Sequence, residues 1–193
     1  MKMTLAFAFL FIVITISFSQ TLTVEDYGEI LSDSNRLVPA NIQKIVDSNN
    51  SLDVFVGHWS AVHSRKKFDV FISKNTINNG IFDEIDALIL DYRIRDENDN
   101  LIIDTRQTGN AVLSGIGYSL FPDGSYSFFY NRRECEANYE WGILLETEQL
   151  TNRKTLYLEL MLLESLWITG DECSNGAIEP YFPVNTGLNF VRQ

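Results

Sequence analysis

Phe55-Val56-Gly57-His58-Trp59 is an apolar strand start that carries Gly-x-Trp. A glycine there lets the backbone bend tightly, and the tryptophan two residues on offers a wide apolar body to close one end of a small antiparallel barrel. Working outward, residues 52 to 63 read as a strand, and Ser64-Arg65-Lys66-Lys67 is a polar connection. In the next run Phe68, Val70 and Ile72 alternate with Asp69, Phe71 and Ser73, so the two runs predict a hairpin. Asn75 to Gly80 is turn-rich, residues 87 to 95 predict a third strand, and Asp96-Glu97-Asn98-Asp99-Asn100 turns the chain into 101 to 105. Residues 111 to 121 and 125 to 130 flank the turn Pro122-Asp123-Gly124, and 139 to 146, 155 to 163 and 188 to 192 complete the set. Leu158-Glu159-Leu160-Met161-Leu162-Leu163 has intrinsic helix preference. Thr155, Tyr157 and the flanking loops nevertheless match the other strands. The expectation is an all-β fold, an antiparallel up-and-down barrel of about eight or nine strands, with a β-sandwich as the alternative.

Upstream, residues 5 to 16 form an apolar run behind Lys2, followed by Ser17-Phe18-Ser19-Gln20. That length suits the core of a signal peptide and falls short of the roughly 20 residues of a spanning helix. Small residues at 17 and 19 predict cleavage before Gln20. The expected organisation is a signal peptide over 1 to 19, a lead-in over 20 to 50, and a β-barrel domain over 51 to 193. Within the lead-in, Pro39 at a first helical position and Ile42, Ile45 and Val46 at helical spacing predict one short N-terminal helix that caps the barrel. Thr21 to Val38 reads as a loosely ordered approach to it.

The chain has 193 residues and a formal net charge of −11. Such acidity argues against nucleic acid, whose phosphates need a basic footprint, and against anionic membrane surfaces. Past the signal, no apolar run is long enough to span a bilayer. Cys135 and Cys173 are the two cysteines. An even count in an exported chain predicts a disulfide rather than two free thiols, worth about 3 to 4 kcal/mol by loop closure.

His58 and His63 are the two histidines, and odd spacing along a strand sends them to opposite faces, so they do not form a metal pair. His58 beside Trp59, at a barrel mouth, is a candidate hydrogen-bonding group for a ligand. Tyr126, Phe128 and Tyr130 fall on one strand face, with Trp141 on the next strand. Such a face is either barrel core or the lining of an apolar pocket. Asp96, Asn98, Asn100 and Asp104 alternate oxygens as a calcium loop does, but Leu101 and Gln107 stand where that loop needs glycine and glutamate. A turn built on Asp and Asn side chains is the simpler reading. No metal, cofactor or catalytic set is assembled, and no enzyme activity is expected.

The run Phe55 to Trp59, the hairpin ending Phe71-Ile72-Ser73-Lys74, the stretch Ile85 to Arg93 and the closing Phe182-Pro183-Val184-Asn185-Thr186-Gly187-Leu188-Asn189-Phe190 resemble an uncharacterised secreted family of flavobacteria and other Bacteroidetes. The resemblance covers most of residues 50 to 193. Its members look lipocalin-like (calycin-type) and have no known activity, so the resemblance implies a fold and an exported location but assigns no functional residue. His58 and Leu90 depart from the family pattern, which has threonine and glycine there. The functional expectation is a secreted or periplasmic lipocalin-like protein whose barrel takes a small apolar ligand, through His58, Trp59, Tyr126, Phe128, Tyr130 and Trp141. The alternative is a cell-envelope module that recognises protein or glycan and holds no internal ligand.

Overall fold

A computed structural model describes residues 20–107, 115–130, 141–147, 155–162, 181–183 and 186–193, giving the backbone alone for 115–118, 129–130, 141–147 and 161–162. Among them are eleven strands: β1 (Gln20–Thr23), β2 (Ile42–Val46), β3 (Gly57–His63), β4 (Lys66–Ile77), β5 (Glu84–Arg95), β6 (Leu101–Asp104), β7 (Gly115–Leu120), β8 (Tyr126–Tyr130), β9 (Trp141–Thr147), β10 (Thr155–Leu162) and β11 (Leu188–Arg192). One helix, α1 (Val24–Ser32), and a 3-10 turn, Ser51–Val54, accompany them. The described strands belong to one curled sheet, not to two packed ones, which corrects the sandwich alternative.

The hydrogen-bonded order is β1-β2-β5-β4-β3-β11-β10-β9-β8-β7, and β7 also pairs with β5. Eight strands therefore follow one another by antiparallel pairing in a circuit that returns to its start. The sheet as a whole is mixed, because β1 pairs β2 and β2 pairs β5 in parallel. That corrects the expectation of a purely antiparallel sheet of eight or nine strands.

β5 carries the most demand. One edge runs along β4 from Ile85 to Arg95. The other edge is divided among β2 at Glu84 and Ile85, β7 at Leu88 to Leu90, and β6 at Arg93 to Arg95. Between those partners the buried backbone turns to side chains. The Leu88 amide donates to the Tyr126 hydroxyl at 3.1 Å, and the Tyr92 amide to Thr105 Oγ1 at 2.9 Å. An amide left dry and unpaired there would lose on the order of 1 to 3 kcal/mol.

The expected helix over 39 to 46 is instead strand β2. The sheet gives the reason: β1 registers Gln20 on Ile42 and then Thr21 on Lys44, so Gln43 is skipped as a bulge. A bulge resets strand alternation. Ile42 and Ile45, three apart as on a helix, are thereby both buried. The real helix lies in the stretch expected to be loose. Thr23 and Asp26 form a capping box, with Asp26 N–H donating to Thr23 Oγ1 at 3.1 Å and Thr23 N–H to Asp26 Oδ2 at 3.4 Å. Glu25 and Asp26 suit the positive end of the helix. α1 packs on β7 as well as on β1 and β2. Its closest approach is at Gly28, where an added Cβ would stand 1.6 Å from the Leu120 carbonyl oxygen. No described helix is long and apolar enough to cross a membrane.

The Gly-x-Trp strand start has the local geometry that its residues require. Gly57 has φ +146°, which side chains rarely adopt. Trp59 is fully buried, and its Nε1 donates to the Phe55 carbonyl at 2.8 Å. Arg192 on β11 lies over the indole at 4.5 Å and donates to the Val54 and Val56 carbonyls at 2.9 and 3.0 Å. A stack of that kind is worth about 0.5 to 2 kcal/mol.

Replacing Gly28 by valine is expected to push α1 off β7 and lower stability by roughly 1 to 3 kcal/mol, read as a smaller midpoint in urea unfolding with the sheet signal in far-UV circular dichroism retained.

Candidate functional site

Strand alternation and register give the curled sheet an enclosed face. Trp59 and Ala61 on β3, Phe68, Val70 and Ile72 on β4, and Leu88, Leu90, Tyr92 and Ile94 on β5 share it through their cross-strand pairs. Tyr126 and Phe128 on β8, Leu156, Leu158 and Leu160 on β10, and Leu188 and Phe190 on β11 join the same apolar cluster. Phe55 meets Tyr126 at one end, with ring centres 5.7 Å apart. At the other end Phe182 meets Phe68 at 5.4 Å and Tyr92 at 5.0 Å. The described part of this face is packed with side chains.

The sequence candidates therefore separate. Trp59, Tyr126 and Phe128 are core side chains, exposed by 0%, 0% and 1%. Tyr130 and Trp141 face each other in the backbone register of β8 and β9. Their side chains, like Cys135 and Cys173, lie outside the described residues. His58 is on the opposite, outer face, paired in register with Phe71. It is not at a mouth with Trp59, because adjacent residues of a strand point to opposite faces.

Around His58 the outer face holds a polar network centred on Asp69, whose side chain is 1% exposed. Asp69 Oδ1 accepts from Ser60 Oγ at 2.5 Å and lies 3.1 Å from His58 Nε2. Its Oδ2 accepts from Arg93 Nε at 3.0 Å and Arg93 NH2 at 2.7 Å. Burial drives this carboxyl upward, but the hydrogen bonds of Ser60, Arg93 and His58 and the Arg93 charge outweigh it and hold the pKa at about 2. Above the network, Phe71 is stacked by His58 at 4.5 Å and covered by Arg106 at 3.8 Å. Asp104 in turn anchors Arg106 at 2.7 Å.

Ser60, His58 and Asp69 are the residue types of a nucleophile relay, but not its geometry. A relay divides serine and carboxylate between the two ring nitrogens. Here both approach Nε2, and Ser60 donates straight to Asp69. The trio fastens β3 to β4 and β5. The oxygens of the calcium-like run are likewise engaged locally. Asp96 accepts from the Asn98 and Asn100 amides and from Asn100 Nδ2, as the turn reading expects. No group of metal-ligating side chains occurs among the described residues.

An open cleft lies at the edge of this apolar cluster, with which it shares Phe55 and Leu120. It measures about 630 Å³ and is bounded by α1, the segment 49–55 and the β7–β8 turn. Glu25, Glu29, Asn49, Asn50 and Ser51 form the polar part of its wall, and Val54, Phe55, Leu120, Phe121 and Pro122 the apolar part. The segment 49–55 is held by Asp47, which accepts from the Ser51 and Leu52 amides at 2.7 and 3.2 Å and pairs with Lys74 at 3.0 Å. Asp47 is oriented by its own amide, which donates to Asp86 Oδ2 at 2.9 Å. The β7–β8 turn is fixed by Gly124 at φ +84° and by Asp123, which accepts from the Ser125 amide and hydroxyl. Sequence reading missed the cleft. Its one legible signal was the capping pattern Thr23-x-x-Asp26, which locates the helix that forms a wall.

Compared with family models, curated proteins and solved structures, the chain matches none.

Two measurements check these assignments. Tyr126→Phe removes the acceptor of the buried Leu88 amide and is expected to cost about 1 to 3 kcal/mol in unfolding free energy. Asp69 is expected to stabilise the fold by about 2 kcal/mol. Its folded pKa of about 2 is below the 3.8 of a free aspartate side chain. That contribution is full above pH 3.8 and is lost as pH falls through 2. Denaturation across pH 5 to 1.5 should show a drop that Asp69→Asn, already weaker at pH 5, lacks.

Proposed function

We propose that this protein is an exported, non-enzymatic, lipocalin-like barrel that binds a small molecule at the cleft beside α1 rather than inside the barrel. The pairing of β7 with β5 supports reading the eight-strand circuit as an up-and-down barrel, with β1, β2 and β6 as additions along β5. Export rests on the signal-like residues 1 to 19. The observation that carries the binding site is the cleft itself, since about 630 Å³ is the volume range of small-molecule pockets. It has a fixed apolar wall and several polar groups that converge on it, whereas Trp59, Tyr126 and Phe128 are engaged in core packing.

A second reading, an envelope module that recognises protein or glycan through its exposed loops, draws on that packed core.

Native mass spectrometry of protein purified from its own envelope extract separates the two. The binding reading expects a small molecule that dissociates on denaturation and is lost from Phe121→Arg, which fills the cleft. A retained macromolecule with no small molecule, unaffected by Phe121→Arg, would favour the second reading and overturn the first.

A further inference from the structure

Given the binding reading above, we propose that the ligand of the α1 cleft is a small organic cation with an apolar body, an aryl- or alkylammonium. Among the described residues the wall carries two carboxylates, Glu25 and Glu29, and no Lys, Arg or His. They stand four apart on α1, a spacing that brings side chains together and makes like charges repel. Glu25 Oε1 accepts from Ser51 Oγ and from Asn49 Nδ2. Its Oε2 is buried and has no hydrogen-bond partner among the described residues. Burial raises the Glu25 carboxyl, but the hydrogen bonds of Ser51, its own amide and Asn49 outweigh it and hold the group below the usual glutamate value, so the charge persists at neutral pH. No described base forms an ion pair with Glu25.

Among the described residues Glu29 has one neighbour of opposite sign. Arg36 approaches it at 3.9 Å, with both side chains more than half exposed. A pair that open contributes little and leaves the carboxylate free to face the cleft. Beside these charges, Val54, Phe121 and Pro122 offer an apolar wall. Anions are repelled by such a site and neutral apolar molecules gain from one wall of it. A cation with an apolar body gains from both, because Glu25 and Glu29 set a negative field over a partly water-excluded space.

The test uses the full chain without its signal and three probes of one shape: benzylammonium, benzyl alcohol and benzoate. Binding is read by calorimetry and by amide shifts of residues 49–55 and 120–124. Benzylammonium is expected to bind at least tenfold more tightly than benzyl alcohol, with no binding of benzoate. Glu25→Gln should weaken benzylammonium about tenfold. Because Glu25 also holds Asn49 and Ser51, Glu29→Gln is the companion variant, expected to weaken it about threefold with the fold intact. Equal binding of benzylammonium and benzyl alcohol, unchanged in both variants, would overturn the cation assignment and leave the cleft standing as a ligand site. If no probe moves the cleft amides at millimolar concentration, the cleft reading fails together with this inference.

Discussion

The second edge of β5 is the constraint on which the rest of the structure depends. A strand of twelve residues, Glu84–Arg95, is too long for any one short neighbour, so its amides and carbonyls are divided among β2, β7 and β6. Each division leaves a gap in the ladder, and dry backbone groups do not tolerate gaps. Tyr126 and Thr105 close two of them with hydroxyls. Closure of the strand circuit, the position of the β6 excursion and the parallel attachment of β2 are consequences of how that one edge is satisfied.

The two ends of the sheet answer a different need, which is to exclude water from an apolar interior. At one end Trp59, Arg192 and the 3-10 turn act together: the indole caps the core, and the guanidinium stacks on it while holding two carbonyls of the incoming chain. At the other end Phe182 packs between Phe68 and Tyr92. Outside, the Asp69 network ties β3, β4 and β5 by charge-assisted hydrogen bonds and gives the otherwise polar face a fixed geometry. Large side chains at each end and over the described part of the enclosed face keep that interior apolar and filled.

The legible parts of the sequence were those where a local rule and the tertiary structure agree. Phe68, Val70 and Ile72 alternate and are buried, and Pro122-Asp123-Gly124 turns with Gly124 at positive φ. Segment 155–163, whose Leu-rich run favours helix, is strand over Thr155–Leu162 because β9 and β11 pair with it on both sides. Illegible were the places where tertiary context rewrote the pattern. The bulge at Gln43 gave a strand a helical spacing of apolar residues. The stretch Thr21 to Val38 read as loosely ordered, although it holds α1, whose Gly28 lets the helix touch β7. His58 looked like a ligand group because of Trp59 beside it, whereas its real neighbours, Asp69 and Phe71, come from the next strand. The cleft was invisible for the same reason, since its walls come from three segments separated by up to about a hundred residues.

That separation has a consequence for how the molecule divides its tasks. Glu25, Glu29, Asn49 and Asn50 belong to elements laid on the circuit rather than to the circuit itself, and none of them takes part in the pairing that closes it. The charges of Glu25 and Glu29 can change without reaching the core, whose stability depends on buried apolar area. The coupling that does exist runs through Asp47, which fixes the 49–55 segment while bound to Lys74 on β4 and oriented by Asp86 on β5. Geometry at the cleft is thus inherited from the sheet, while its charge is set independently by α1. That arrangement lets the curled sheet carry a polar cleft at its edge while the described part of its enclosed face stays apolar.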